Sequence, residues 1–346
     1  KCQSLLPYIH NRILTPKLHV LAAKAYMLQE DFHSQNHPAI PHLLEVLKLY
    51  PMAIELIEDL LFVGAPIQEI LALIPPGYAR AYVESLQHTA KSEFTKAIQI
   101  LSKNPISTDP LPICFLNQIC VNAWQSGQME VFDQNSQLIP DDDLEIVDLR
   151  AARLKNKRRG EDLNQLVLFA LNIDENNANC WLAFSHLLEL NKDHQRALQT
   201  TRKALLLDRT SRRGLMRHGE LRMQRNDTKK ALTAFLKAHQ IHPGLDSYSE
   251  IVKCNCILED YQMAESFAAK ALLAYPLESE HSAVSITLMG LALKMREPQR
   301  ACELLQKALK IKPDYDEPLN ALVDMKIKED DLDGAEALLR EYREQS

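Results

Sequence analysis

The chain has 346 residues, 46% apolar and 25% charged, with a net charge of −6 and only nine glycines. That balance is ordinary for a globular protein, and so few glycines argue against phosphate-cradling loops and against an α/β enzyme with many tight turns. The net charge excludes a surface that is a nucleic-acid face throughout, and no apolar run reaches the roughly 18 residues of a membrane-crossing helix.

Read from the start, Lys1 to Leu14 has the pattern of the second helix of a pair whose first helix is absent. A new pair opens at Thr15-Pro16, with a first helix over 18–28, a long connection at His33 to His37, and a second helix over 42–50 stopped by Pro51. A shortened pair follows: Ala53 to Phe62, a turn at Gly64-Ala65-Pro66, then Ile67 to Ile74. Residues 78–104 regain full length, with Ala97 and Leu101 on the second helix. Residues 113–138 make another pair, joined tightly at Ser126-Gly127 and ended by Pro140. Asp141-Asp142-Asp143 precede the next helix, where acids suit the positive N-terminus and supply a cap. Residues 144–177 form a divergent pair with a charged, exposed connection over 155–162.

A strict register begins at Ala178. Trp181, Ser185, Ala197, Thr201 and Ala204 return 34 residues later as Leu215, Gly219, Ala231, Phe235 and Ala238, and Pro243 closes the copy. Residues 212–225 and 228–241 carry apolar side chains at helical intervals. Small Gly219 and Ala231 are expected where two antiparallel helices cross most closely, with Phe235 and Ala238 on the face that packs on the next pair. A 34-residue period with these residue types is the signature of the tetratricopeptide repeat. One pair cannot bury its apolar stripe alone, so pairs stack. The register continues through Ala264, Ala268, Ala271 and Pro276, then Gly290, Ala301, Leu305, Ala308 and Pro313, then Leu319, Leu322, Ala335 and Leu339. No stretch alternates with period two, and no Asn-Gly hairpin turn occurs. These readings predict an all-α protein: a right-handed superhelical tetratricopeptide solenoid of about nine helix pairs, without a β-sheet. Residues 1–14 are the second helix of a truncated repeat, 15–143 divergent repeats, and 144–346 more regular ones, all in one continuous solenoid.

Catalytic signatures are absent. No G-x-S-x-G, H-E-x-x-H, G-x-x-x-x-G-K-[ST] or G-x-G-x-x-G occurs, so no catalytic residue, cofactor site or metal site is assigned. The seven cysteines are scattered and Cys254-x-Cys256 lacks zinc-ligand spacing; they read as reduced, mostly buried residues of an intracellular protein. Among the histidines, His37 and His42 are expected to flank a loop. His239 and His242 are expected to interact with carbonyls at a helix end.

One charge cluster stands out. Arg209, Arg212, Arg213, Arg217, Arg222, Arg225, Lys229 and Lys230 face only Glu220 and Asp227 nearby in sequence. First helices of such pairs line the concave surface, which puts Arg213, Met216, Arg217, Glu220 and Gln224 inward. Asp246 and Glu250 of the next pair are the expected ion partners. Two readings follow: a basic groove for an acidic or phosphorylated partner segment, or a solvated face braced by salt bridges. A chaperone-type carboxylate clamp is disfavoured. Its inward positions hold Leu182, His186, Glu189, Met216, Glu220, Ser249 and Lys253, and of these only Lys253 suits it.

The irregular features carry a resemblance. The opening LTPKLHVLAAKAYMLQ from Leu14, LLEVLKLYPMAIELI from Leu43 across Pro51, the short pair after it, the divergent pairs at 78–140 and 144–177, the Trp181 repeat and LLQKALKIKPDY from Leu304 resemble the subunit 7 family of the anaphase-promoting complex, in that family's order. The likeness runs from about Cys2 to the last helix. It departs in a longer connection around His33 to Pro38 and a shorter junction at Ser126-Gly127. It also begins past the N-terminal repeats the family looks to use for homodimerisation. The resemblance implies a non-catalytic scaffold of a multi-subunit ubiquitin ligase that acts in mitosis, in nucleus and cytoplasm. Its partners would be other tetratricopeptide subunits, with neither nucleic acid nor membrane among them. A general peptide-binding adaptor in chaperone or transport work, and the repeat region of a larger enzyme, are the competing classes.

Overall fold

The structure, a computed structural model, describes residues 15–27, 37–51, 53–63, 65–75, 77–90, 93–103, 113–241, 243–275, 281–313, 315–328 and 330–345. The helix expected over 1–14, the connection over 33–36, and Cys2, Gly64, His242 and Pro276 lie outside the described residues. Within them are 20 helices and no strand, in two compact units, Lys1–Asn135 and Ser136–Ser346. The fold is a tetratricopeptide solenoid, with ten helix pairs described against about nine expected.

The first unit holds α1 (Pro16–Met27), α2 (Ala39–Leu49), α3 (Ile54–Phe62), α4 (Ile67–Leu73), α5 (Tyr78–Ala90), α6 (Phe94–Lys103), α7 (Ile113–Ser126) and α8 (Met129–Ser136). The short pair is real: α3 has nine residues and α4 seven. It is held by Leu43, Leu47, Ile57, Leu60 and Ile70, all fully buried in one cluster. α2 starts three residues before the expected 42 because Ala39 and Ile40 belong to that core, and His37 caps the turn, its Nδ1 accepting from the Ala39 N–H at 3.2 Å. His42 therefore lies inside α2 rather than beside a loop. The tight junction at Ser126-Gly127 works because Gly127 takes φ 75°, a left-handed conformation that costs glycine nothing.

The second unit holds α9 (Val147–Asn156), α10 (Gly160–Ile173), α11 (Ala178–Leu190), α12 (His194–Leu207), α13 (Arg212–Met223), α14 (Thr228–Ile241), α15 (Leu245–Ile257), α16 (Tyr261–Ala274), α17 (Ser282–Leu293), α18 (Pro298–Ile311), α19 (Asp316–Lys328) and α20 (Leu332–Gln345). Its register is the expected one. Ala197, Thr201, Ala204, Ala231, Phe235, Ala238, Ala264, Ala268, Ala271, Ala301, Leu305 and Ala308 are each 0% exposed. Gly219 shows why the position must be small. A Cβ there would stand 2.4 Å from Cε1 of the buried Phe235 ring, so the missing side chain of one helix admits the ring of the next.

A second recurring signal runs through the turns inside five of the pairs. Arg158, Lys192, Asn226, Glu259 and Asp330 all adopt positive φ, between 55° and 64°. The backbone then closes on itself: the Asp193, Asp227, Asp260 and Asp331 N–H groups bond back to Leu188, Arg222, Asn255 and Lys326 carbonyls at 2.9 to 3.0 Å. Three of those aspartates cap the following helix, accepting from Arg196, Met263 and Gly334 N–H groups at 2.9 to 3.1 Å.

Four local expectations are corrected. The charged connection over 155–162 shrinks to 157–159, because α9 runs to Asn156 and α10 opens at Gly160; Lys155 is helical and half-buried. Asp143 caps a turn, accepting from the Glu145 N–H at 2.9 Å, while Ile146 occupies the α9 N-cap. His239 turns from its helix end to the next pair, its Nδ1 2.9 Å from the Ser247 hydroxyl and its ring 4.5 Å from Tyr248. Leu339, unlike its counterpart Leu305, is 38% exposed. Of the six described cysteines, Cys120, Cys180 and Cys254 are buried, and Cys114, Cys256 and Cys302 half-buried.

Candidate partner-binding groove

All seven inward candidates lie on α13, its C-cap or α15, and most are already engaged. Arg217 is 5% exposed. Its Nε donates to Ser185 Oγ at 3.1 Å, Nη1 to Glu220 Oε2 at 3.1 Å, and Nη2 to the Glu189 carboxylate. Glu189 also accepts from Lys155 Nζ at 2.7 Å and from Gln224 Nε2 at 2.6 Å. One carboxylate on α11 thus gathers donors from α9, α13 and the α13 cap.

Arg213 reaches further. It passes α11 and donates to Asp148 Oδ1 on α9 at 3.0 Å, and to the Glu145 carbonyl and carboxylate at 2.8 and 3.0 Å. Of the expected partners, Asp246 does pair with the cluster, through Arg212, whereas Glu250 pairs with Lys253 on its own helix at 3.5 Å. Lys253 spans two pairs in the other direction, to Glu317 at 2.7 Å. Met216 is packed in the core beside Phe235.

Electrostatics follow from this burial. Desolvation works to raise the Glu189 carboxyl, but Arg217, Lys155 and Gln224 outweigh it and hold it at about 2. His186, beside them, is kept neutral well below the usual imidazole range by burial and then by Arg217 and Lys155. Burial raises the Asp148 carboxyl against the pull of Arg213. The inner face is therefore a neutralised lattice. Its ionic contacts join first helices one and two pairs apart, and no three metal-ligating side chains converge among the described residues.

Glu145, Asp148, Lys155, Glu189 and Glu317 are the partners that single-helix reasoning passes over. Their signal was present as opposite charges near one or two repeat periods: Lys155 and Glu189 are 34 residues apart, Arg213 and Asp148 are 65.

Comparison with known proteins places this geometry. A tetratricopeptide repeat family model matches residues 292–346. Anaphase-promoting complex subunit 7 of Mus musculus is 23% identical over 354 aligned positions, covering 97% of this chain, and that of Homo sapiens is 22% identical over the same share. The chain spans 61% of the length of these relatives. Among solved structures, the APC/C hetero-tetramer Cut9-Hcn1 superposes with a TM-score of 0.70 at 13% identity, over 99% of this chain and 70% of that one. The resemblance read from the irregular repeats is thus borne out, and the solved structure shares the fold.

Proposed function

We propose that this chain is a non-catalytic scaffold segment of the subunit 7 type, which contacts other tetratricopeptide subunits within an anaphase-promoting ubiquitin ligase in nucleus and cytoplasm. The observation that carries this is the likeness over 97% of the chain, short and divergent pairs included. Repeats alone would match many adaptors; a collinear match through irregular ones points to one lineage. The braced inner face fits such a role. A scaffold transmits position, and ion pairs across successive pairs resist flexing.

The groove residues Arg213, Met216, Arg217, Glu220, Gln224, Asp246 and Glu250 serve that rigidity first. An acidic partner segment enters the groove only by exchange with Glu189 or Asp148. The absent clamp leaves the chaperone-adaptor reading without a site.

Affinity purification of the tagged chain from dividing cells, followed by mass spectrometry, tests the proposal. Recovery of cyclosome subunits in stoichiometric amounts supports it. Recovery of chaperones or cargo receptors in their place contradicts it.

A further inference from the structure

The outer side of the same two pairs is the reverse of the braced groove. α12 carries Arg196, Arg202 and Lys203, α14 carries Lys229, Lys230 and Lys237, and neither helix contains an acidic residue. The other second helices of the unit, α10, α16, α18 and α20, each carry at least one. All six cations are exposed. Few are matched: Arg196 pairs with Asp193 at 3.5 Å and Lys230 with Asp227 at 3.1 Å, while Lys203 lies 3.4 Å from the centre of the Trp181 ring. Arg202, Lys229 and Lys237 have no ion pair among the described residues. Arg196 and Lys230, and Lys203 and Lys237, are each 34 residues apart, so like charges recur at the same places in successive second helices. Leu206, one turn beyond Arg202 on α12, is 73% exposed.

From this face we infer a docking surface for an acidic protein segment that carries an apolar side chain. Six exposed cations, three of them without an ion pair among the described residues, give this face a positive potential that a carboxylate-rich strand laid across α12 and α14 complements, while Leu206 takes its apolar residue. A nucleic acid fits less well. Lys203 already occupies a face of the Trp181 ring on which a base would stack. The surface lies apart from the groove residues, and the inference stands whether or not the ubiquitin-ligase reading does.

The test uses the full chain and a fluorescein-labelled acidic peptide of about a dozen Asp and Glu residues with a central Leu, followed by anisotropy at low and physiological salt. The charge-reversed variant Arg202→Glu/Lys229→Glu/Lys237→Glu changes exposed positions only, and circular dichroism melting confirms that it folds. The expected result is a loss of affinity of about tenfold or more in that variant, weaker binding at higher salt, and carbodiimide cross-links from the peptide to Lys229 and Lys237. Wild-type affinity in the variant, or cross-links concentrated on Lys155 and Lys253, overturns the assignment. So does a single-stranded RNA or an anionic vesicle that displaces the peptide from this face. Leu206→Ser, which leaves every charge in place, is expected to weaken binding several-fold.

Discussion

Arg217 and Arg202 carry the same guanidinium on neighbouring helices of one unit, yet their surroundings are opposite. Arg217 is 5% exposed and bonded to Ser185, Glu189 and Glu220, whereas Arg202 is exposed with no ion pair among the described residues. The same division runs along the face. Inward cations Lys155, Arg213 and Lys253 each reach an acid on another pair, while outward Lys229 and Lys237 reach none. A basic run in a repeat protein is therefore two surfaces folded from one stretch. Position in the repeat, not charge count, decides which cations brace the fold and which remain for a partner.

The largest effect lies in the seam between the two faces. Ala231 is 0% exposed, so Ala231→Glu inserts an unpaired charge and excess volume, and a loss of about 4 kcal/mol or more is expected in denaturant unfolding. On the inner face, Arg217→Ala strands Glu189 among fewer donors and is expected to cost about 3–5 kcal/mol. Arg217→Met combined with Glu189→Leu removes both charges and recovers much of that loss. If Arg217→Ala melts like wild type, the inner half of the comparison fails.

Acid reads out the same lattice. Glu189 sits at about 2 in the fold against 4.5 when free, so its stabilisation is present above about 4.5 and fades as pH falls toward 2, by about 3 kcal/mol in all. His218, lowered to about 4 by burial and then by Arg222 and Arg202, is neutral in the fold and protonates readily when unfolded. Its contribution is present above about 6.5 and is lost between there and about 4. Melting temperature should therefore fall below pH 6.5 and go on falling below pH 4.5, and Glu189→Gln should remove the second step. Gly219→Ala, which pushes a methyl into Phe235, is expected to cost about 1–3 kcal/mol. The smallest effects sharpen the outer half: Arg202→Ala and Lys229→Ala are expected to lie within about 0.5 kcal/mol of wild type.

Where period and size coincide, the sequence was a good guide. Ala197, Ala231, Ala264 and Ala301 all fall at the buried crossing because only a small side chain fits there, and that constraint shows in a single chain. The short α3–α4 pair was legible because Pro51 and Pro75 bracket it. The ionic partners of Arg213 and Arg217 were not. Local spacing pointed to the following pair, Asp246 and Glu250, which holds for Arg212 with Asp246, whereas Arg213 and Arg217 reach Glu145, Asp148 and Glu189 of preceding pairs. The left-handed turns were also missed. Of these, Asn226 is a residue that favours positive φ, but Lys192 and Glu259 are not, and the shared signal lay in the aspartate that follows each.

Arginine footprinting tests the division between faces most directly. Phenylglyoxal is added to the folded chain, and modification at each arginine is followed in time by mass spectrometry. Arg202, Arg209 and Arg225 are expected to react early, while Arg213, Arg217 and Arg222 stay protected until the chain is unfolded. Reaction of Arg217 as fast as Arg202 would contradict the account.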